Sequence, residues 1–409
     1  MGVLDSLRSV LRLRPIEWNR VERRLRRAAN VGDLRRIARR RLPRGVFDYV
    51  DGAAEDEISL ARNERSFDQI EFCPRVLRDV GKVDLSTTLL GRRLPLPLIL
   101  APTGFTRIVT SAGELAVGRA AARAGLPFAL STLGTRSIEE VAAVSDGDKW
   151  FQVYVWRDRV LLAEMLGRAK ASGYSTLVIT IDAAVLGRRE RDVRRGFSLP
   201  PKIGWGTVLD GALHPSWTWD FIRSEPILFA NVAGKSVGDG RDPISLSSYI
   251  QEQFDPALSW GDIEWFRERW DGPIVLKGIQ SVADAVRAAE RGIDAIALSN
   301  HGGRQLDGAP PPIELVAPVA RAVGDRLELI CDGGIRRGSD IVKAVALGAR
   351  ACMIGRAYLY GLGAAGERGV DWVLDHLADG VCRTLALTGQ RGIAELDDTL
   401  VRWRVPRTE

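Results

Sequence analysis

The sequence predicts an α/β fold, a closed (β/α)₈ barrel, and three observations point to it. From about residue 95 onward, short apolar runs rich in β-branched residues alternate with segments of helical period, the pattern of βα units around a parallel sheet. Eight such runs can be counted, at 95–103, 127–132, 150–155, 175–182, 273–278, 295–301, 327–332 and 351–355. Most of them end in a polar residue, among them Thr103, Asp182, Lys277, His301 and Asp332, with Arg356 just beyond the last. The sites of TIM barrels gather at that C-terminal rim. An open doubly wound sheet is the alternative, yet no GxGxxG follows the first run.

The remaining segments fit one domain over 1–409: a helical N-terminal segment (1–94), the barrel (95–390) and a tail (391–409), with an insertion at 197–258 after the fourth strand. Asn30 to Arg41 reads as a helix ahead of Phe47, Asp48 and Tyr49, expected to cover the barrel's bottom or flank. The insertion, with Trp205, Trp217 and Trp219, is far longer than an ordinary βα connection and reads as a lid or docking surface.

A chain of 409 residues with 45% hydrophobic content can bury a large core. Its formal net charge of +6 comes mainly from an Arg-rich stretch before residue 45, which reads as a solvated face; no motif that reads nucleic acid accompanies it. Cys73, Cys331, Cys352 and Cys382 have neither CxxC nor metal-type spacing, so they read as packing residues in a reducing compartment. Neither a secretory apolar region nor a membrane-spanning run is visible, which points to a cytoplasmic protein, soluble or held at a membrane surface.

With only three histidines, each can be weighed as a base. His214 lies in the insertion and His376 in a helical stretch away from any rim, whereas His301 ends a strand and is followed by Gly302, Gly303 and Arg304. A base with a guanidinium three residues on can hold a carboxylate while taking a proton beside it. Asp182 ends an apolar strand and needs a partner, for which an imidazolium suits; a helix N-cap ahead of Val185 is the rival reading. Arg189 is a second possible clamp, or part of a solvated arginine run. The stem of Lys277 begins inside the barrel, where its ammonium needs an anion such as a reduced flavin; a snorkelling or Schiff-base lysine is the alternative. The last two strands end in Asp332-Gly333-Gly334-Ile335-Arg336 and Gly355-Arg356, glycine-rich and basic where barrels commonly bind phosphate.

Together these residues resemble the FMN-dependent α-hydroxy acid dehydrogenase and oxidase family, over about residue 30 to the C-terminus. Ser299 to Leu306 matches the family's active-site signature, and Ala101-Pro102-Thr103, Phe151 to Tyr154 and Asp332 to Gly338 agree in order and spacing. The resemblance implies His301 as catalytic base, Asp182 as its partner, Arg189 and Arg304 as carboxylate clamps, and Tyr49 and Tyr154 on the substrate's polar groups. It places Thr103 and Gly104 at the flavin N5 edge, and Ser131, Gln152, Thr180, Lys277 and Ser299 around the ring. Asp332, Gly334, Arg336, Gly355 and Arg356 would stand at the ribityl phosphate end. No metal or nicotinamide is called for.

Against the glycolate oxidase pattern, Leu133 replaces a Trp and Gly104 an Ala, which implies a roomier pocket. The stretch His214 to Trp219 is similar to that of bacterial respiratory L-lactate dehydrogenases. The activity implied is oxidation of an L-2-hydroxy acid, L-lactate foremost, with electrons passed to a quinone or cytochrome-type acceptor. An O₂-using oxidase, a mandelate-type dehydrogenase and a non-catalytic flavin-binding protein are the alternatives. A homotetramer and peripheral contact with the inner face of the cell membrane are also implied.

Overall fold

The structure, a computed structural model, describes residues 17–194, 204–232 and 253–404. Its centre is a closed barrel of eight parallel strands: Leu98–Leu100, Phe128–Ser131, Lys149–Tyr154, Thr176–Thr180, Ile274–Ile279, Ala295–Ser299, Glu328–Asp332 and Ala351–Ile354. Each lies within or against one of the runs read from the sequence. The first and last pair directly, Cys352 with Leu98, which closes the ring.

Alternation along the strands explains both the core and the site. Leu98, Leu100, Leu177 and Ile179 face outward into the layer shared with the helices, while Ile99, Ala129, Val178, Val275, Ala297, Ile330 and Met353 form a separate inner cluster. On six of the eight strands the next inward position up is polar, Ser131, Gln152, Thr180, Lys277, Ser299 and Asp332, while on the first and last it is Ala101 and Gly355. The barrel is therefore apolar for most of its height and polar at its C-terminal rim.

The N-terminal segment is spread over flank, rim and bottom. The helix Val31–Arg41 does lie on the flank, where Val31, Leu34 and Ala38 make one buried face against the helix Arg356–Ala365. Asn30 caps it, accepting from the Asp33 amide at 3.0 Å. The helices Arg44–Asp51 and Ile58–Asp68, however, lie at the C-terminal rim, where the Ala54 amide donates to the Gly303 carbonyl at 2.8 Å. The bottom is closed instead by a hairpin, Thr87–Leu89 with Arg92–Leu94, whose Leu89 and Leu94 insert into the inner cluster. Its turn places Gly91 at φ 74°, and the Leu90 amide donates to Glu328 at 2.7 Å. The tail adds a short strand, Val401–Trp403, antiparallel to Ile70–Phe72.

The long connection after the fourth strand contains the helices Trp205–Ala212 and Pro215–Arg223. It is pinned to the loop after the first strand. The Trp217 indole donates to the Ile108 carbonyl (2.8 Å), Asp220 accepts from the Ser111 amide (2.8 Å), and Arg107 donates to the Glu225 carbonyl (2.7 Å). Parts of the expected insertion (197–203 and 233–252), the first sixteen residues of the Arg-rich stretch, and 405–409 lie outside the described residues.

Candidate active site

One cavity of about 530 Å³ opens at the rim above the polar ring of strand ends, of which Lys277 and Asp332 reach its lining. Lys277 Nζ lies 2.8 Å from Asp332 Oδ2 and 3.0 Å from Ser299 Oγ, and the Ser299 hydroxyl donates to the same carboxylate oxygen at 2.8 Å. The anion that Lys277 needs is thus supplied by the protein. Burial works against its charge, but Asp332 and Asp182 outweigh that and hold its pKa above the ordinary lysine value. On the other side Ser131 Oγ donates to Gln152 Oε1, and Gln152 Nε2 donates to Thr180 Oγ1, both at 2.8 Å. These buried side chains are satisfied by one another, as a polar layer in a dry barrel requires.

His301 begins where the sixth strand ends, and the strand end forces it into the left-handed region, φ 56°. A side chain seldom adopts that conformation without a constraint. Here the Ser299 hydroxyl accepts the His301 amide at 3.0 Å, Tyr154 stacks on the ring at 6.4 Å, and Nδ1 lies 2.9 Å from Asp182 Oδ1. Burial would raise the Asp182 pKa, but the charges of His301 and Lys277 lower it below the ordinary carboxylate value. Its other oxygen, Oδ2, is buried without a hydrogen-bond partner among the described residues. The Asp182 carboxylate is therefore directed at the imidazole.

Above this pair stand two guanidiniums. Arg304 Nη1 donates to the carbonyls of Tyr49 (2.8 Å) and Gly52 (2.9 Å), and its carbon sits 5.2 Å from the Tyr49 ring centre. Arg189 approaches the same ring at 5.8 Å and Asp192 at 3.7 Å. Burial and the like charges of Arg189 and Arg356 push the Arg304 pKa down, and with two arginines against the one Asp192 carboxylate this end of the cavity suits an anion. The Tyr49 hydroxyl reaches the Gly104 carbonyl at 3.4 Å.

Gly334, Arg336, Gly355 and Arg356 line a second part of the cavity, which meets the first where Arg356 and Arg304 share the Gly52 carbonyl. Arg356 donates to the carbonyls of Gly302 (2.8 Å) and Gly52 (2.7 Å), which leaves its buried Nε without a partner among the described residues. Arg336 pairs with Glu64 at 2.8 Å. Gly334 has φ 77°, and any Cβ there would fall on the Asn63 carbonyl, so only glycine lets the chain turn beneath this end. Asp332 lines the cavity beside Gly333 and Gly334, and its carboxylate also binds Lys277. Ser131, Gln152, Thr180 and Ser299 sit beneath the cavity wall rather than on it, while Thr103, Gly104, Leu133, Tyr154 and Lys277 line it directly.

Sequence reasoning missed several contributors. Asn63 and Asn300 exchange paired amide bonds of 2.8 and 2.7 Å, fastening the helix Ile58–Asp68 to the signature loop. Gly278, at φ 113°, makes room for Asp182, whose Cβ would otherwise be met at 2.7 Å. Phe229 and Phe254, from the long connection, supply apolar wall; Phe254 packs on Tyr154 at 5.2 Å and Phe229 on Phe105 at 5.7 Å. Of the other histidines, His376 stacks on Trp372 on the outer helix Glu367–Thr388, and His214 caps its own segment through Asp210.

A barrel whose rim cavity has a glycine-lined basic end, a polar floor and a His–Asp pair under two arginines defines a class: a phosphate-bearing cofactor at one end, an anionic substrate at the other. The model of the FMN-dependent dehydrogenase family matches residues 38–403, and the chain belongs to that family. It is 48% identical over 392 residues to a putative L-lactate dehydrogenase of Mycobacterium tuberculosis, covering 96% of this chain and 93% of that one. It is 43% identical to the (S)-mandelate dehydrogenase of Pseudomonas putida, over 90% of this chain and 92% of that one. Among solved structures, that of the monotopic membrane protein (S)-mandelate dehydrogenase superposes with a TM-score of 0.89 at 41% identity, covering 92% and 99% of the two chains.

The protein is accordingly an FMN-dependent dehydrogenase, and the cavity fits that cofactor. The orphaned Arg356 Nε and the glycines at 334 and 355 suit a phosphate end, and the apolar-sided slot over Lys277 suits a flat ring.

Proposed function

We propose that the protein oxidises an L-2-hydroxy acid to its 2-oxo acid, with L-lactate to pyruvate as the leading reaction. The observation that carries this reading is the convergence, on one cavity end, of the His301–Asp182 pair with Arg304 and Arg189. A free carboxylate fits between the guanidiniums, and its hydroxyl-bearing carbon then lies near the imidazole.

FMN, when bound, supplies the two-electron acceptor for the substrate's Cα–H bond. Thr103, Gly104 and Lys277 would flank its ring, and Gly334, Arg336, Gly355 and Arg356 would hold its phosphate end. With Nδ1–H donated to Asp182, the tautomer this hydrogen bond favours leaves His301 Nε2 as the proton acceptor. Asp182 then stabilises the imidazolium, as a buried carboxylate beside a base does. Tyr49 and Tyr154 bind the substrate's remaining polar groups, and Lys277 keeps a fixed positive charge at the floor.

Electrons pass on to a quinone or cytochrome-type acceptor at a membrane. Supporting this, the helices Trp205–Ala212 and Pro215–Arg223 and the turn between them expose Leu213 (70%), Ile222 (69%) and Trp219 (59%) beside Arg223, an amphipathic surface of interfacial kind. Among the described residues no helix is long and apolar enough to cross a membrane; the contact proposed is peripheral, on the inner face of the cell membrane. The resemblance to the family supports a tetramer.

A mandelate-type substrate is the second reading, favoured by the apolar wall of Leu133, Phe229 and Phe254. Anaerobic mixing of the FMN-loaded protein with L-lactate and then L-mandelate, followed by flavin absorbance, tests both; bleaching is expected, faster with the true substrate. Slow recolouring on admitting oxygen supports a dehydrogenase, rapid recolouring an oxidase. A yellow protein that no 2-hydroxy acid bleaches overturns the reaction.

A further inference from the structure

The roof of the cavity is tied down by a cluster that none of these roles uses. Beyond the fourth strand the chain brings Arg189 over the cavity and then forms the short helix Glu190–Arg194. Two residues after Arg189, Arg191 turns to the N-terminal segment. Its Nη1 lies 2.8 Å from Asp51 Oδ2, and its Nη2 meets the Glu57 carboxylate. Asp51, only 2% exposed, also accepts from Arg35 (2.7 Å to Oδ2) and from the Tyr360 hydroxyl (2.8 Å). Two carboxylates thus face two guanidiniums around one buried oxygen pair, that of Asp51, while the arginines keep part of their surface in water.

The same corner holds the other arginines. The Gly52 carbonyl accepts from both Arg304 and Arg356, the Tyr49 carbonyl from Arg304, and the Glu55 amide donates to the Arg188 carbonyl at 3.0 Å. These carbonyls end the helix Arg44–Asp51, whose negative dipole end suits cations. A Cβ on Gly52 would meet the Asp48 carbonyl at 2.7 Å and the Arg191 stem at 3.4 Å, so the glycine lets the two segments approach. Arg304 is thereby fixed by backbone. Among the described residues Arg189 makes no such bond; its guanidinium approaches Asp192 at 3.7 Å and faces the like charge of Arg304.

We infer that Arg191, gripped by Asp51 and Glu57, is a positioning residue that latches the loop bearing Arg189 over the substrate end of the cavity. The inference rests on the reading of Arg189 and Arg304 as carboxylate clamps. A merely structural ion pair would lower stability alone; a latch weakens carboxylate binding in a protein that still folds and holds FMN.

The test titrates oxidised, FMN-loaded full-length protein with oxalate, a planar dicarboxylate, following the perturbation of the flavin spectrum. KM and kcat for the hydroxy acid are measured in parallel. In Arg191→Leu the oxalate Kd and the KM are expected to rise about tenfold or more, with kcat changed far less and FMN content retained, because Arg35 and Tyr360 remain on Asp51. Arg191→Lys is expected to recover most of the loss. Should Arg191→Leu fail to fold, Glu57→Gln weakens the grip while keeping the Asp51 contacts, and a severalfold rise in Kd is expected. Unchanged oxalate affinity in a folded variant, or no recovery with lysine, overturns the latch alone. A wild type that binds no oxalate and is bleached by no 2-hydroxy acid overturns the functional reading and the latch with it.

Discussion

Ser131, Gln152, Thr180, Lys277, Ser299 and Asp332, at the floor of the cavity, come from six successive strands, and each hydrogen-bonds a residue on a neighbouring strand. Tyr49, Arg189 and Arg304, over it, come from three segments far apart in the chain and are held through carbonyls, ring faces and the Asp51 cluster. Closing the barrel sets the floor. The roof is set only when an N-terminal helix and two rim loops dock on each other. The difference separates two tasks: the floor fixes charge and polarity under the cofactor, while the roof fixes where the substrate's carboxylate sits.

His301 stands at the seam, anchored by the floor through Ser299 and Asp182, and it offers the largest effect. Replacing it by Asn removes the proton acceptor and leaves both arginines and the phosphate end in place. The expected outcome is a fall in kcat of about 10²- to 10⁴-fold, with FMN retained and oxalate affinity changed only slightly. A loss of oxalate binding equal to that of kcat would mean that seam and roof are one unit, and the comparison would break.

Next comes the floor itself. Lys277→Met leaves the buried Asp332 carboxylate without its cation, and removing one partner of such a pair costs about 3–5 kcal/mol. A lower urea midpoint and loss of FMN are expected. The double variant Lys277→Met with Asp332→Asn should recover much of the stability without recovering flavin reduction. If the double variant is as unstable as the single one, packing of the lysine stem rather than charge holds the floor.

The floor was legible in the sequence because alternation along a strand places every second residue inward, so the polar residue following Val178, Val275, Ala297 or Ile330 on that face announces a lined rim. His301 and Asp182 were legible for the same reason, as strand ends. The roof was not. Asp51 and Asn63 sit on helices whose polar residues look like solvated faces, and nothing local says that these helices fold over the rim rather than under the barrel. Arg35 and Arg191 lie in arginine-rich runs that composition assigns to solvent, yet they close around one buried carboxylate. The hairpin at the bottom left a weak trace, Leu89-Leu90-Gly91, readable as a turn but not as a plug. Asp332 was legible at a rim but its bond to Lys277 was not, because a carboxylate's partner depends on which inward-facing cation the barrel brings beside it.

The smallest effect concerns acid. Burial would raise the Asp51 pKa, but Arg35, Tyr360 and Arg191 outweigh it and hold the carboxyl at about 2, against an ordinary 3.8. Between those values the unfolded chain binds the proton and the folded one does not, so stability rises with pH there. The contribution, about 2 kcal/mol, is fully present above about pH 4 and is lost as pH falls through about 2. Urea unfolding of wild type and Asp51→Asn should therefore show a stability gap near neutrality that narrows by about 1 kcal/mol or more on going to about pH 3. A gap independent of pH would mean that the packing of Arg35 and Arg191, and not the Asp51 charge, ties the roof. Floor and roof would then differ in shape alone, and Arg191→Lys would no longer be expected to rescue the latch.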